Sequence, residues 1–376
     1  MVRVPVRREM LEWACKRAGL TAHSFAEQHP QSKLPLWLGG EVQPTLRQLE
    51  EFATATHTSV GALLLPKPMD EPLPIADFRS GPKGAPSADL LDTIYLCQQR
   101  QDWYREHARL YRLDEVAFIA SASPDQNAEE VAERMRTLVG IRSEERRAIP
   151  TWSEALRTLI ERVEAAGVLV MVSGVVGSNN RRKLNPQEFR GFAFSDTLAP
   201  VIFVNGSDTK AAQIFTLAHE VGHLALGESA LSDATARVSP SERVERWCNQ
   251  FAAEFLVPRA EIDAIPGDDI QSLARHFKVS TLVVLRRLFD LRRMSQEQYW
   301  TRFDAELERL RGLEARGTGG GNFYYTTMAR AGKRLTRALV TSALEGQGSF
   351  SEALHLLGFR KMTVFDELAR MVGVAG

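Results

Sequence analysis

Cysteine is scarce in this 376-residue chain: Cys15, Cys97 and Cys248 are an odd and scattered set. That argues against a disulfide framework and against a cysteine-based zinc site, and it fits a reducing compartment. No run approaches the ~20 apolar residues that a membrane-spanning helix requires. Met1-Val2-Arg3-Val4-Pro5 has no apolar core of the secretory-signal kind. A cytoplasmic protein without a membrane partner is therefore expected. Net charge is missing too. Lys+Arg and Asp+Glu both number 47, so no global field draws in nucleic acid, and any DNA contact must come from a local patch. No internal repeat is found. What remains is an ordinary globular composition with room for roughly two to four domains.

Against that background one stretch carries chemistry. His219-Glu220-Val221-Gly222-His223 lies in a helical pattern, where a spacing of four sends both imidazoles out of one face, a turn apart. Such a pair suits one divalent metal, with Glu220 about 100° round the helix, near a metal-bound water whose proton it would take. By chance the motif arises in roughly one chain of this length in a hundred. A surface helix with two stray histidines is the plain alternative. Yet Ile214, Leu217, Ala218, Val221, Leu224 and Ala225 form one apolar arc, and Ala212, Phe215, His219 and His223 the opposite one. A helix poor in charge on both faces is expected to be covered on both sides. Gly222 costs ~1 kcal/mol of helix propensity, which makes sense where something must approach closely.

Glu245, 22 residues after His223, is the candidate third ligand. Ser239-Pro240-Ser241-Glu242 reads as a capping box that starts a second helix, and Pro258 stops it. Val244, Trp247, Cys248, Phe251 and Phe255 make its buried arc, with Glu245, Asn249, Ala252 and Leu256 along the other edge. Arg243, Arg246, Gln250 and Glu254 are expected on the wet arc. A carboxylate on a largely apolar face needs a partner. A metal would serve, as would a salt bridge at the helix start, and Glu242 is a rival ligand.

Ala218 to Leu224, followed by Glu245-Arg246-Trp247-Cys248-Asn249-Gln250-Phe251-Ala252-Ala253-Glu254-Phe255-Leu256-Val257-Pro258, resembles the ImmA/IrrE family of metallopeptidases, and Pro200 to Gly206 also matches. The resemblance covers about residues 190–290. It implies metal ligands His219, His223 and Glu245 and a general base Glu220. The metal is expected to be Zn²⁺, with Mn²⁺ admitted by mixed N/O ligation. It further implies a substrate that is a partner protein, a helix-turn-helix repressor or antitoxin, cleaved in a stress or phage/toxin-antitoxin setting. In such folds the strand at Val201 to Val204 borders the cleft and can pair with an extended peptide. No residue is assigned to the oxyanion; His276 and Tyr299 are conceivable.

The remainder divides into modules. Residues 1–66 read as five short helices similar to the XRE-like, phage-repressor type of helix-turn-helix, whose third helix enters the major groove. Here that helix contains Pro35 and offers only Lys33, and seven Lys/Arg against six Asp/Glu leave little charge for phosphate. Residues 67–126 form a proline-rich connector and a helical linker, in which Arg100, Arg105 and Arg109 read as solvated. Residues 127–262 form the metallopeptidase domain, with helices at Ala128 to Val139 and Trp152 to Ala166 and strands at Val168 to Val172, Phe189 to Phe194 and Val201 to Val204. Residues 263–298 make a second helix-turn-helix with a positive face of Arg275, Lys278, Arg286, Arg287, Arg292 and Arg293. Residues 299–376 make a C-terminal helical module reached through the flexible joint Gly317 to Asn322, with a basic stripe of Arg330, Lys333, Arg334 and Arg337. The expected fold class is α+β and mostly helical: a minimal zincin-like core, a small sheet plus the His219 helix, flanked by helix-turn-helix and helical modules. The competing reading is a DNA-binding transcriptional regulator or antitoxin whose metal site is structural or sensory.

Overall fold

The computed structural model describes residues 3–77, 86–232, 243–314, 328–359 and 361–374. The glycine joint and the residues 239–242 lie outside them. The chain separates into two compact units, residues 1–74 with 84–94, and residues 75–83 with 95–376.

In the first unit α1 (Arg8–Arg17), α2 (Ala22–Gln28), α3 (Leu34–Leu38), α4 (Leu46–Ala55) and α5 (Val60–Leu63) close over a core that includes Met10, Leu11, Phe25, Leu34, Leu49, Phe52 and Leu63. Thr21 and Thr45 start α2 and α4 through capping boxes. Pro35 falls in the first turn of α3, where a missing N–H costs nothing. Three of the seven cations pair with acids of the same unit: Arg8 with Glu12, Arg47 with Glu51, and the largely buried Arg17 with Glu71 and Asp92.

The second unit is α+β and mostly helical. In chain order it contains β1 (Ala76–Asp77), most of α6 (Ala88–Leu110), α7 (Ala128–Val139), α8 (Ser143–Ala148), α9 (Trp152–Ala165), β2 (Leu169–Ser173), β3 (Gly191–Phe194), β4 (Val201–Asn205), α10 (Lys210–Leu226), β5 (Ala230–Ser232) and α11 (Arg243–Leu256). There follow α12 (Arg259–Asp263), α13 (Ile270–Phe277), α14 (Thr281–Asp290), α15 (Gln296–Glu314), α16 (Lys333–Leu344), α17 (Phe350–Leu357) and α18 (Met362–Met371). The strands form one mixed sheet in the order β1-β5-β3-β4-β2. β2 pairs with β4 in parallel, β3 is antiparallel to both β4 and β5, and β1 runs parallel to β5. β4 is therefore an inner strand with both edges already paired. It cannot take up a substrate strand as the sequence suggested, because its ladder positions go to β2 and β3. No described helix is long and apolar enough to cross a membrane.

α10 is the buried centre of this unit. Thr209 caps its start, Gly227 ends it in a left-handed conformation, and every residue from Gln213 to Ala225 is buried. The sheet covers one side through β3 and β4, and α9 and α11 cover the other. This is the two-sided cover that the paired apolar arcs imply. At the crossing of α10 and α11, a Cβ on Gly222 would lie 3.1 Å from Phe251 Cδ1 and 3.5 Å from the Cys248 backbone. The glycine lets the two helices approach.

Several cations expected in solvent are structural. Arg100 is buried, donating to the carbonyls of Leu356 and Arg330. Arg105 bridges Asp102 and Asp196. On the second helix-turn-helix Arg287 is buried, Arg286 pairs with Asp290, and Arg293 pairs with Asp263 and Asp268. Half of the positive face, Arg286, Arg287 and Arg293, is answered by acids that lie within the same fold. Arg334, from the C-terminal stripe, donates to Tyr104 and to the Glu164 carbonyl, and Arg337 to the Val372 carbonyl. Long basic side chains here bury their stems and tie elements together.

Glu164 joins the C-terminal helices to the core. Its carboxylate accepts the Arg334 backbone N–H at the start of α16, where helix-end donors and dipole favour an anion. Burial nevertheless pushes its carboxyl up to about 7, against the pull of the Arg334 and Lys333 N–H groups. Between the ordinary value of 4.5 and about 7 the folded chain then holds more protons than the unfolded one. Stability contributed by this group falls as pH rises through that window, by at most about 3 kcal/mol. Glu164→Gln keeps an acceptor for Arg334 and removes the titration. It is expected to raise the melting temperature at pH 8, leave it nearly unchanged at pH 4.5, and flatten the slope between. An unaltered slope would show that another group carries it.

Candidate metal centre

His219 and His223 leave α10 on the face turned towards α11, as their spacing requires, with ring centroids 4.8 Å apart. Their Nε2 atoms are 3.0 Å apart. Glu245, in the first turn of α11, reaches both, Oε2 at 3.4 Å from His219 Nε2 and Oε1 at 3.0 Å from His223 Nε2. One donor atom from each residue lies within 4.8 Å of the other two, a group that could hold a metal ion. His219, Glu220 and His223 are 0 % exposed and Glu245 is 3 % exposed. The rival Glu242 lies outside the described residues.

Glu220 stands on the same helix, next to β3. Gly191 makes this contact possible: a Cβ there would sit 2.5 Å from Thr216 Cγ2 and 3.1 Å from Glu220 Oε1, so any side chain would push the strand off the helix. Both carboxylate oxygens are buried and lack a well-formed hydrogen bond among the described residues. Burial drives the carboxyl up to about 8; the charge of Glu245 adds to this, while His219 and the Ser232 hydroxyl oppose it. Burial resists the ionisation of Glu245 as well, yet the two imidazoles hold it well below the usual carboxylate range. Burial would lower His219, but Glu245 raises it, whereas burial keeps His223 below its ordinary value.

Two further residues belong to the arrangement. Asn249, one turn after Glu245, has Oδ1 3.0 Å from His219 Nδ1. With Nδ1–H donating, this bond leaves Nε2 free to face Glu245. The i+4 spacing from Glu245 on a shared arc was the sequence signal for it. Ser232, at the end of β5, places Oγ 3.2 Å from His223 Nε2. No motif marks it, since β5 is a three-residue strand without alternation.

Other expectations fall away from the centre. Glu254 is buried, not on a wet arc: it forms a close ion pair with Arg287 and accepts the Arg259 N–H. Tyr299 packs against Phe289 and Phe303, and His276 against Phe277; neither contributes a described contact to the histidine pair. The three cysteines are free and buried, and burial pushes Cys15 up to about 11 and Cys97 up to about 12, so neither offers a thiolate.

Two imidazoles and a carboxylate converging from adjacent helices could hold a metal ion, and the acid beside them lacks a well-formed hydrogen bond among the described residues; such a set is of the kind that metal-dependent hydrolases use. Residues 163–289 match peptidase family M78, the IrrE N-terminal-like domain, a match that supports a metal-dependent protease. Residues 331–371 match a domain of unknown function, DUF8813. No curated protein matches the chain.

Proposed function

We propose that this chain is a metal-dependent endopeptidase of the ImmA/IrrE kind that cleaves a partner regulatory protein in the cytoplasm. The substrate would be a helix-turn-helix repressor or an antitoxin, in a stress or phage/toxin-antitoxin setting. One observation supports the reading above all: three donors from two helices meet in a buried pocket beside an acid without a good hydrogen bond. The orphaned carboxylate is costly as it stands, and a cation next to it removes the cost.

His219, His223 and Glu245 would hold the ion. The donor set suits Zn²⁺, with Mn²⁺ as the alternative. When bound, the ion supplies a water of lowered pKa and a polarised carbonyl. Asn249 keeps His219 in the tautomer that turns Nε2 inwards. Glu220, whose value a neighbouring cation would draw back down, takes the proton from water and passes it to the leaving amine. Residues 1–66 would serve as a recognition module, for DNA or for the partner protein.

The test is Glu220→Gln together with metal analysis of protein purified without added metal. The variant is expected to keep the wild-type metal content and to lose cleavage of the partner by at least about 10²–10⁴-fold. Unchanged biological activity in that variant would instead favour the regulator with a structural or sensory metal. Salt-dependent DNA binding by the full chain, weakened by changes within residues 1–66, would point the same way.

A further inference from the structure

The geometry points to Ser232 as a fourth side chain of the metal centre, its hydroxyl standing where the reacting water has to stand. The inference rests on the metal-centre reading above.

Ligand atoms bonded at ~2.0–2.1 Å around a tetrahedral ion lie about 3.3 Å from one another. The separations are 3.0 Å between the two Nε2 atoms, 3.4 Å from His219 Nε2 to Glu245 Oε2, 3.0 Å from His223 Nε2 to Glu245 Oε1, and 3.2 Å from Ser232 Oγ to His223 Nε2. Ser232 thus stands off His223 by the same spacing as the other donors. It is also 0 % exposed, so its hydroxyl has no solvent to turn to. The same hydroxyl also stands close to the Glu220 carboxyl. A water activated by Glu220 must lie between that carboxylate and the ion, and Ser232 Oγ stands beside both Glu220 and His223. One oxygen excludes the other.

The position is set by the sheet. Ser232 pairs with Gly191 in the β3–β5 ladder, and Gly191 is the residue pressed against Glu220. On its outer side β5 is held by β1, through Ala76 opposite Ala230 and Asp77 opposite Leu231. The strand that carries Ser232 is consequently clamped by the connector as well as by β3. In this conformation the protein itself would complete the coordination of a bound ion, and β5 would have to shift before water and a peptide carbonyl could enter. A closed set of four protein donors is the mark of a resting centre, while a working one keeps a position open.

Cobalt and manganese binding test this without any substrate. The full chain is loaded with Co²⁺ as wild type, Ser232→Cys and Ser232→Ala. If Ser232 faces the ion, the cysteine variant gains a thiolate-to-cobalt charge-transfer band that wild type lacks. Loaded with Mn²⁺, Ser232→Ala is expected to relax water protons about 1.5-fold more strongly than wild type, because a water replaces the hydroxyl at an ion that is ordinarily six-coordinate. A cobalt spectrum of Ser232→Cys identical to wild type, or equal relaxation in wild type and Ser232→Ala, overturns the assignment. Failure of wild type to take up cobalt at all would bring down the metal-centre reading itself, and this proposal with it.

Discussion

Glu245→Ala and His219→Ala are each expected to come out of purification without metal, whereas Glu254→Ala retains it. Each of the first two removes a donor from a set of three and leaves the rest buried: two imidazoles without an anion, or a carboxylate with one imidazole. The loss of affinity should exceed the roughly 10–100-fold seen when only an outer hydrogen-bond partner is removed. Asn249→Ala is a useful comparison, because it takes away only the bond to His219 Nδ1. Elemental analysis of the purified proteins and competition with a chelator measure the effect. Metal retained by Glu245→Ala and lost by Glu242→Ala would show that the other carboxylate of this region is the ligand.

Glu254→Ala should do its damage to folding. Arg287 is buried and held by Glu254, by Glu129 at 2.9 Å and by the Val257 carbonyl at 3.0 Å. Removing Glu254 takes the close partner from a guanidinium that has no route to solvent, and also frees the Arg259 N–H at the start of α12. Breaking a buried ion pair from one side costs about 3–5 kcal/mol; the remaining Glu129 contact places the expected value at the lower end. Urea denaturation measures it. Replacing both partners, Glu254→Leu with Arg287→Met, should recover most of the loss, since no unpaired charge is then left inside. A double variant no more stable than Glu254→Ala would mean that packing, and not the lone charge, sets the cost.

The two variants separate chemistry from architecture within a single helix. Glu245 and Glu254 both sit on α11, nine residues apart and both buried. Their partners differ entirely. The helical arcs correctly turned Glu254 away from the histidines but wrongly placed it in water, because on that side α11 meets α14 and not solvent. Arg100 and Arg287, on faces that also read as solvated, are buried in the same way. A charged residue on a helical face reads as solvated unless the packing of a distant element is known, and the partners of Arg100 lie more than 200 residues further along.

Strands divide in the same way. β2, β3 and β4 are apolar runs bounded by turns, and their positions followed within a few residues. β1 and β5 have two and three residues, too few for any periodicity. They became strands only because β3 offers β5 an edge and β5 then offers one to β1. That extension is what puts Ser232 beside His223.

By itself the sequence determined everything that depends on the local turn of a helix. Four-residue spacing aligns His219 with His223, and Glu220 follows at a fixed angle, whatever surrounds them, because backbone hydrogen bonding fixes the pitch. Capping residues, Asn127 and Thr151, set where α7 and α9 begin for the same reason. Only the tertiary structure decided which carboxylate meets the histidines among the described residues, which hydroxyl stands beside them, and that the whole group is shut away from water. Those outcomes hang on how closely α10 and α11 cross at Gly222 and how tightly β3 sits on α10 at Gly191, distances set by packing between elements far apart in the chain.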